Sequence, residues 1–174
     1  MKNLRFLDRG LIKRIHPKND TELIQTYNIL VSTCTDYKYL HYNEFLKYRD
    51  CILTTVSKDL RSSYPFAILG VRRVYLHELE IPDLPYHCTK EDTVYLIGFV
   101  HWFDSEGKFE YCKNEVLENM IEAALRDKND AFCIIQKIIC PETYTNDYLI
   151  DCGFKLVKTG HVGGDYYIRA PRTR

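Results

Sequence analysis

The stretch GKFEYCKNEVLENM, residues 107–120, joins two segments of opposite periodicity, and its reading decides the fold. Before it, VYLIGFVHWF (94–103) is almost unbroken apolar sequence, the pattern of a buried strand. After it, Val116, Leu117, Met120, Ile121, Ala124 and Leu125 recur at helical spacing, which predicts an amphipathic helix covering a sheet face, with Asn114 as its cap. Such a strand-to-helix junction can grip a phosphate, because the first N–H groups of a helix and its dipole both favour an anion. A phosphate cradle of that kind is normally rich in glycine, since a Cβ blocks close approach of the backbone. Here Gly107 is the one glycine, and it comes too early.

Working outward, Leu11 to Ile15 alternates as a strand should, and PKNDTE supplies turn chemistry before a helix. Asn19 followed by Glu22 has the spacing of a capping box, and Leu23, Tyr27, Leu30 and Val31 then share one helical face. Asn43 is the expected cap of a second helix with Phe45, Leu46, Ile52 and Leu53 on its apolar side, and TTVSKDLRSS reads as the connection after it. Two strands follow, from Pro65 and from Thr93, separated by the excursion HELEIPDLPYHCTKED, whose prolines and charges mark a surface loop. Ala131 to Ile138 reads as a central strand covered on both faces. A loop and short helix end at Gly153, suited to the left-handed closing position, and KLVKTGHVGGDYYIRA reads as a terminal hairpin. This order predicts a single α/β domain over residues 1–174: a mixed central sheet with helices on both faces.

Bulk composition narrows the function classes. A chain of 174 residues with 45% hydrophobic content can bury one core unaided. Lysine plus arginine equals aspartate plus glutamate at 24 each, which gives no electrostatic reason to expect nucleic acid or an anionic membrane as partner. The N-terminus mixes basic and apolar residues too evenly for a signal peptide, and no apolar run approaches the roughly 20 residues of a membrane span. Seven scattered cysteines without a CxxC pair read as reduced thiols, so a cytoplasmic or nuclear location is expected. His77, His87 and Cys88 match no zinc spacing, and no metal is expected. The basic tail Arg169, Arg172 and Arg174 is too short to point to nucleic acid.

The element order, with LIKRIHPKNDTELIQTYNIL at one end and AFCIIQKIICPETYTNDYLIDCGFKLV at the other, resembles the acetyl-coenzyme A dependent N-acetyltransferase superfamily abbreviated GNAT. Within it the chain looks most like the glucosamine-6-phosphate N-acetyltransferases, through Tyr48, Tyr64-Pro65 and Cys152-Gly153-Phe154. The resemblance implies N-acetyl transfer from acetyl-coenzyme A to a small amine or amino-sugar phosphate. It also implies a Q/R-x-x-G-x-G/A loop ahead of the helix, holding the coenzyme pyrophosphate. At its key positions this chain has Lys108, Tyr111 and Lys113 in one register and Cys112, Glu115 and Leu117 in the other, with no glycine in either. Lys108, Lys113 and Asn114 are then the candidate coenzyme contacts, while a first-turn glutamate competes with phosphate for the positive helix end.

Acyl transfer to an amine needs a base for the amine and an acid for the departing thiolate. The resemblance assigns the acid to a tyrosine of the short helix before the "GF", here Tyr148, although the usual place is one position on, at Leu149. His101, with Glu110 further along, is the candidate base; the plainer alternative is a strand histidine facing the core. The last third also resembles the ornithine decarboxylase antizymes, through NEVLENMIEAALRDKNDAFCIIQK and Gly160-His161. Those proteins share the fold, bind no coenzyme and act on a protein partner through acidic helix residues. That resemblance implies a catalytically inactive module docking through Glu115, Glu118 and Glu122.

Overall fold

Asn19 starts the first helix as its sequence spacing predicts. In the computed structural model, which describes residues 12–56, 65–79, 81, 92–103, 107, 110–136, 146–160 and 164–172, the Glu22 N–H donates to Asn19 Oδ1 at 3.1 Å and Asn19 Nδ2 donates to Glu22 Oε2 at 3.1 Å. Lys13 closes the group with an ion pair to Glu22, tying β1 (Ile12–Arg14) to α1 (Asp20–Thr33). Truncating a cap of this type costs about 1 kcal/mol. The Asn19→Ala variant is therefore expected to lose about 1 kcal/mol in urea unfolding, with an unchanged denaturant slope.

The second helix is shorter than its apolar pattern suggests. α2 covers Tyr42–Leu46, and a 3-10 turn over Arg49–Cys51 then feeds β2 (Ile52–Val56). Ile52 and Leu53 are therefore strand residues, and TTV continues the strand instead of opening a connection. The reason is local: Ile, Thr, Thr and Val are β-branched and favour the pleated conformation. Asn43 does not cap α2; His41 occupies that position and makes no side-chain capping bond.

β3 (Pro65–Tyr75) and β4 (Thr93–Trp102) form the longest ladder, antiparallel over nine residue pairs from Ala67↔Trp102 to Tyr75↔Thr93. α3 follows at Lys113–Leu125 and buries the predicted stripe Val116, Leu117, Met120, Ile121, Ala124 and Leu125. Its N-cap is Cys112, so Asn114 lies inside the first turn instead of capping it. The predicted central strand is β5 (Cys133–Gln136), followed by α4 (Asn146–Asp151). Gly153 then adopts φ 87°, the left-handed conformation expected after that helix. β6 (Lys155–Val157) and β7 (Tyr166–Arg169) make the terminal antiparallel pair.

The sheet order is β1-β2-β3-β4-β5-β7-β6, and among the described residues β4 with β5 is the one parallel pair. One face carries α1 and α2 over Ile52, Ile68 and Phe99. The other carries α3 and α4 over Leu69, Ile97, Ile135 and Tyr167. This is a single-domain α/β fold with a mixed central sheet and helices on both faces. No helix among the described residues is long and apolar enough to cross a membrane.

Candidate functional site

Glycine in a strand marks a bulge or a close approach, and Gly98 in the middle of β4 does both. The β3–β4 register shifts at this point: Phe99 opposes Gly70, while Ile97 opposes Val71. A Cβ on Gly98 would lie 2.0 Å from Tyr48 Oη, so the phenol from the end of α2 sits directly on the bare backbone. Among the described residues, β5 pairs with Tyr95, Leu96 and Ile97 of β4, which itself runs on to Trp102. The Phe103 N–H donates to Phe66 O at 2.9 Å, so Phe103 turns its backbone toward β3. By strand alternation Trp102 and Val100 turn theirs to the β5 side. The C-terminal ends of two neighbouring parallel strands are the usual position for a ligand cleft in a sheet of this kind.

Around this end of β4 the sequence-predicted residues separate. His101 lies near the end of β4, 7% exposed, on the face shared with α1. Thr33 Oγ1 donates its one hydrogen to Ile29 O at 2.6 Å, so at 3.1 Å it accepts from His101 Nε2–H. The ring is thus the Nε2–H tautomer, and Nδ1 is a buried lone pair with no partner among the described residues. Burial, with the charge of Lys113 adding to it, pushes the imidazole down to about 4. It is neutral at pH 7, a good hydrogen-bond acceptor but a weak proton acceptor.

Tyr148 is 1% exposed and packs in the α3 and α4 core, on the opposite face from His101. Glu110 is exposed in a 3-10 turn over Glu110–Cys112. Neither nitrogen of His101 contacts them: Nε2 meets Thr33, and Nδ1 has no partner among the described residues. Lys113, Asn114 and Glu115 form the first turn of α3. Lys108 lies outside the described residues, as do His87 and Cys88. No group of three potential metal ligands occurs among the described residues.

The proposed acidic docking face is not uniform. Glu122 is engaged within the chain: Arg172 donates to both of its oxygens at 3.2 Å, and Arg169 approaches to 4.0 Å. Glu118 has no such partner among the described residues, and its carboxyl is raised above its ordinary value by burial and by the charges of Asp151, Glu122 and Glu115. Pattern reading places Glu118 and Glu122 one turn apart on α3 but carries no signal of Arg172, which arrives from fifty residues on.

No protein-family model matches the chain, and no curated protein is similar to it in sequence. Solved structures are similar in fold. Aminoglycoside 6'-acetyltransferase type Ii superposes with a TM-score of 0.56 at 12% identity, over 94% of this chain and 98% of that one. Arabidopsis thaliana NAA60, solved with acetyl-CoA, gives 0.54 at 13% identity over 90% and 94%. An acetyltransferase of the GNAT family from Staphylococcus aureus Mu50 gives 0.51 at 12% over 92% and 98%. The fold of this chain is that of the GNAT acetyltransferases.

Proposed function

We propose that the chain is an acyl-coenzyme A dependent N-acetyltransferase acting on a small amine or amino-sugar phosphate. The observation that carries this reading is the bulge at Gly98 on β4 beside its parallel neighbour β5, in a fold shared with solved acetyltransferases. When bound, acetyl-coenzyme A supplies the thioester whose acetyl group passes to the amine. Val100 and Trp102 would hold the amide-bearing arm of the coenzyme by main-chain hydrogen bonds, as a strand holds its neighbour. Lys108 and Lys113, with Asn114, would take the phosphates in place of a glycine loop. His101 Nδ1, once reached by the amine, would accept a hydrogen bond from it and orient it. Tyr148 is assigned the proton for the departing thiolate, and Glu110 the relay that passes the proton lost by the amine to solvent. The buried thiols of the five described cysteines suit a cytoplasmic or nuclear, reducing setting.

A thermal shift titration with acetyl-coenzyme A tests the reading. At a hundredfold excess over Kd the coenzyme is expected to add about 2.7 kcal/mol of stability. No shift at millimolar coenzyme would overturn it.

The second reading, an inactive module that binds a protein, is favoured by Glu115 in the first turn of α3 and by the uncommitted carboxyl of Glu118. It is tested with Glu115→Lys and Glu118→Lys, which should release a captured partner. Glu122→Lys would also break the Arg172 contact and is a poor probe.

A further inference from the structure

Away from the C-terminal end of β4, a cavity of about 380 Å³ gathers Arg14, Lys47, Arg72, Arg73 and Lys128 around one carboxylate, Asp50. The chain as a whole balances 24 basic against 24 acidic residues, so five cations to one anion is a local concentration of charge. The cavity forms where β2 stops covering β3. β2 begins at Ile52 opposite Gly70, and among the described residues no strand pairs with Val71–Tyr75 on that side. Arg72 and Arg73 therefore stand at a sheet edge on opposite faces, one guanidinium over the Tyr48 ring at 5.3 Å and the other over the Tyr95 ring at 5.4 Å.

These cations are under-satisfied. Lys47 pairs with Glu44 at 3.0 Å, Arg73 with Asp130 at 3.6 Å and Arg72 with Glu78 at 3.8 Å. All are solvent-accessible pairs of the kind that exchange readily for a better anion. Arg14 has no carboxylate partner among the described residues and donates to Cys51 Sγ at 3.3 Å, a poor acceptor. Lys128 reaches the Ala124 carbonyl at 2.9 Å. The Nε of Arg72 is buried with no acceptor among the described residues, so this guanidinium is incompletely satisfied by the protein. Opposing the anion are Asp50 and the carbonyl end of α3, which Lys128 offsets.

We propose that this cavity binds an oligophosphate group, either free or as the phosphate chain of a nucleotide. Planar guanidinium forks match phosphate oxygens, and only a compact anion of several charges can engage cations spread around one cavity. The seven steps from Tyr95 to Trp102 put this site roughly 20 Å from the C-terminal end of β4, so it is separate from the proposed coenzyme contacts there.

Isothermal titration with sodium tripolyphosphate, against sodium chloride of equal ionic strength, tests the proposal. In a Lys108→Gln, Lys113→Gln background, which removes the phosphate contacts proposed for the coenzyme, saturable binding of one anion per chain is expected, weakened at least tenfold by adding Arg14→Gln with Lys128→Gln. A parallel titration with ATP separates the sources. Affinity at least tenfold above that of tripolyphosphate assigns a nucleotide, and equal affinity assigns the phosphate chain alone. Failure of both to bind at millimolar concentration would overturn the site, as would an effect confined to the Lys108 and Lys113 pair. Thermal melts of each variant without ligand show that any loss of binding is not a loss of fold.

Discussion

The Gly98→Val variant is expected to lose about 3 kcal/mol or more of folding stability, at the upper end of what overpacking a core produces. Valine is favoured in strands, so backbone preference works for the substitution and the loss comes from space alone. The new Cβ would fall 2.0 Å from Tyr48 Oη and 2.1 Å from Cζ. Tyr48 cannot simply swing aside: it is 9% exposed, edge-on to Phe99 at 5.0 Å between ring centroids, and covered by the Arg72 guanidinium. Urea unfolding gives the measurement, and a cycle with Tyr48→Ala identifies the cause. The double variant should be more stable than the sum of the two single losses by at least about 1 kcal/mol, because the truncated phenol makes room for the valine. Strict additivity would show that the Tyr48 contact is not what requires glycine at the bulge.

The second large effect is a fall in stability with acid that depends on His101. Its imidazole is lowered to about 4 in the folded chain, first by burial and then by Lys113, against about 6.5 when unfolded. In that window the unfolded chain binds the proton and the folded chain does not, so protonation favours unfolding. The contribution is fully present above pH 6.5 and is lost as pH falls toward 4. Between pH 6.5 and 5 it amounts to about 2 kcal/mol, rising to about 3 kcal/mol by pH 4. The His101→Leu variant removes the titrating group, so its stability should be flatter over this range by that amount, whatever its absolute stability at pH 7. Equal slopes in the two proteins would mean that His101 titrates near its ordinary value and that its surroundings are wetter than its burial indicates.

The features legible in the sequence were those carried by neighbours along the chain. Asn19 with Glu22, the α3 stripe and Gly153 are each local patterns, and each forms the element its spacing predicts. The start of β2 was misread because Ile52 and Leu53 can extend a helical apolar face as well as begin a strand. Tertiary pairing with Gly70 and Leu69 decides between them. The candidate site was half legible. Gly98 inside VYLIGFV is a readable bulge signal, but the parallel pairing of β4 with β5 depends on residues 133–135, which no local window contains. The placement of His101 and Tyr148 on opposite faces was likewise hidden, because one sits on a strand and the other on a later helix. The cation cavity draws on residues as far apart as Arg14 and Lys128, so its charge balance exists only after folding.

The parallel pairing of β4 and β5 has a mechanical consequence. Within the one sheet, β1 to β4 form one antiparallel part and β5, β7 and β6 the other, and among the described residues three residue pairs join them, against nine between β3 and β4. Load carried along the sheet converges on that short seam. The seam borders the position proposed for the coenzyme, so a molecule bridging the two strands beyond Ile97 would act as an additional stitch. Its grip on the two halves would make the protein stiffer as well as occupied.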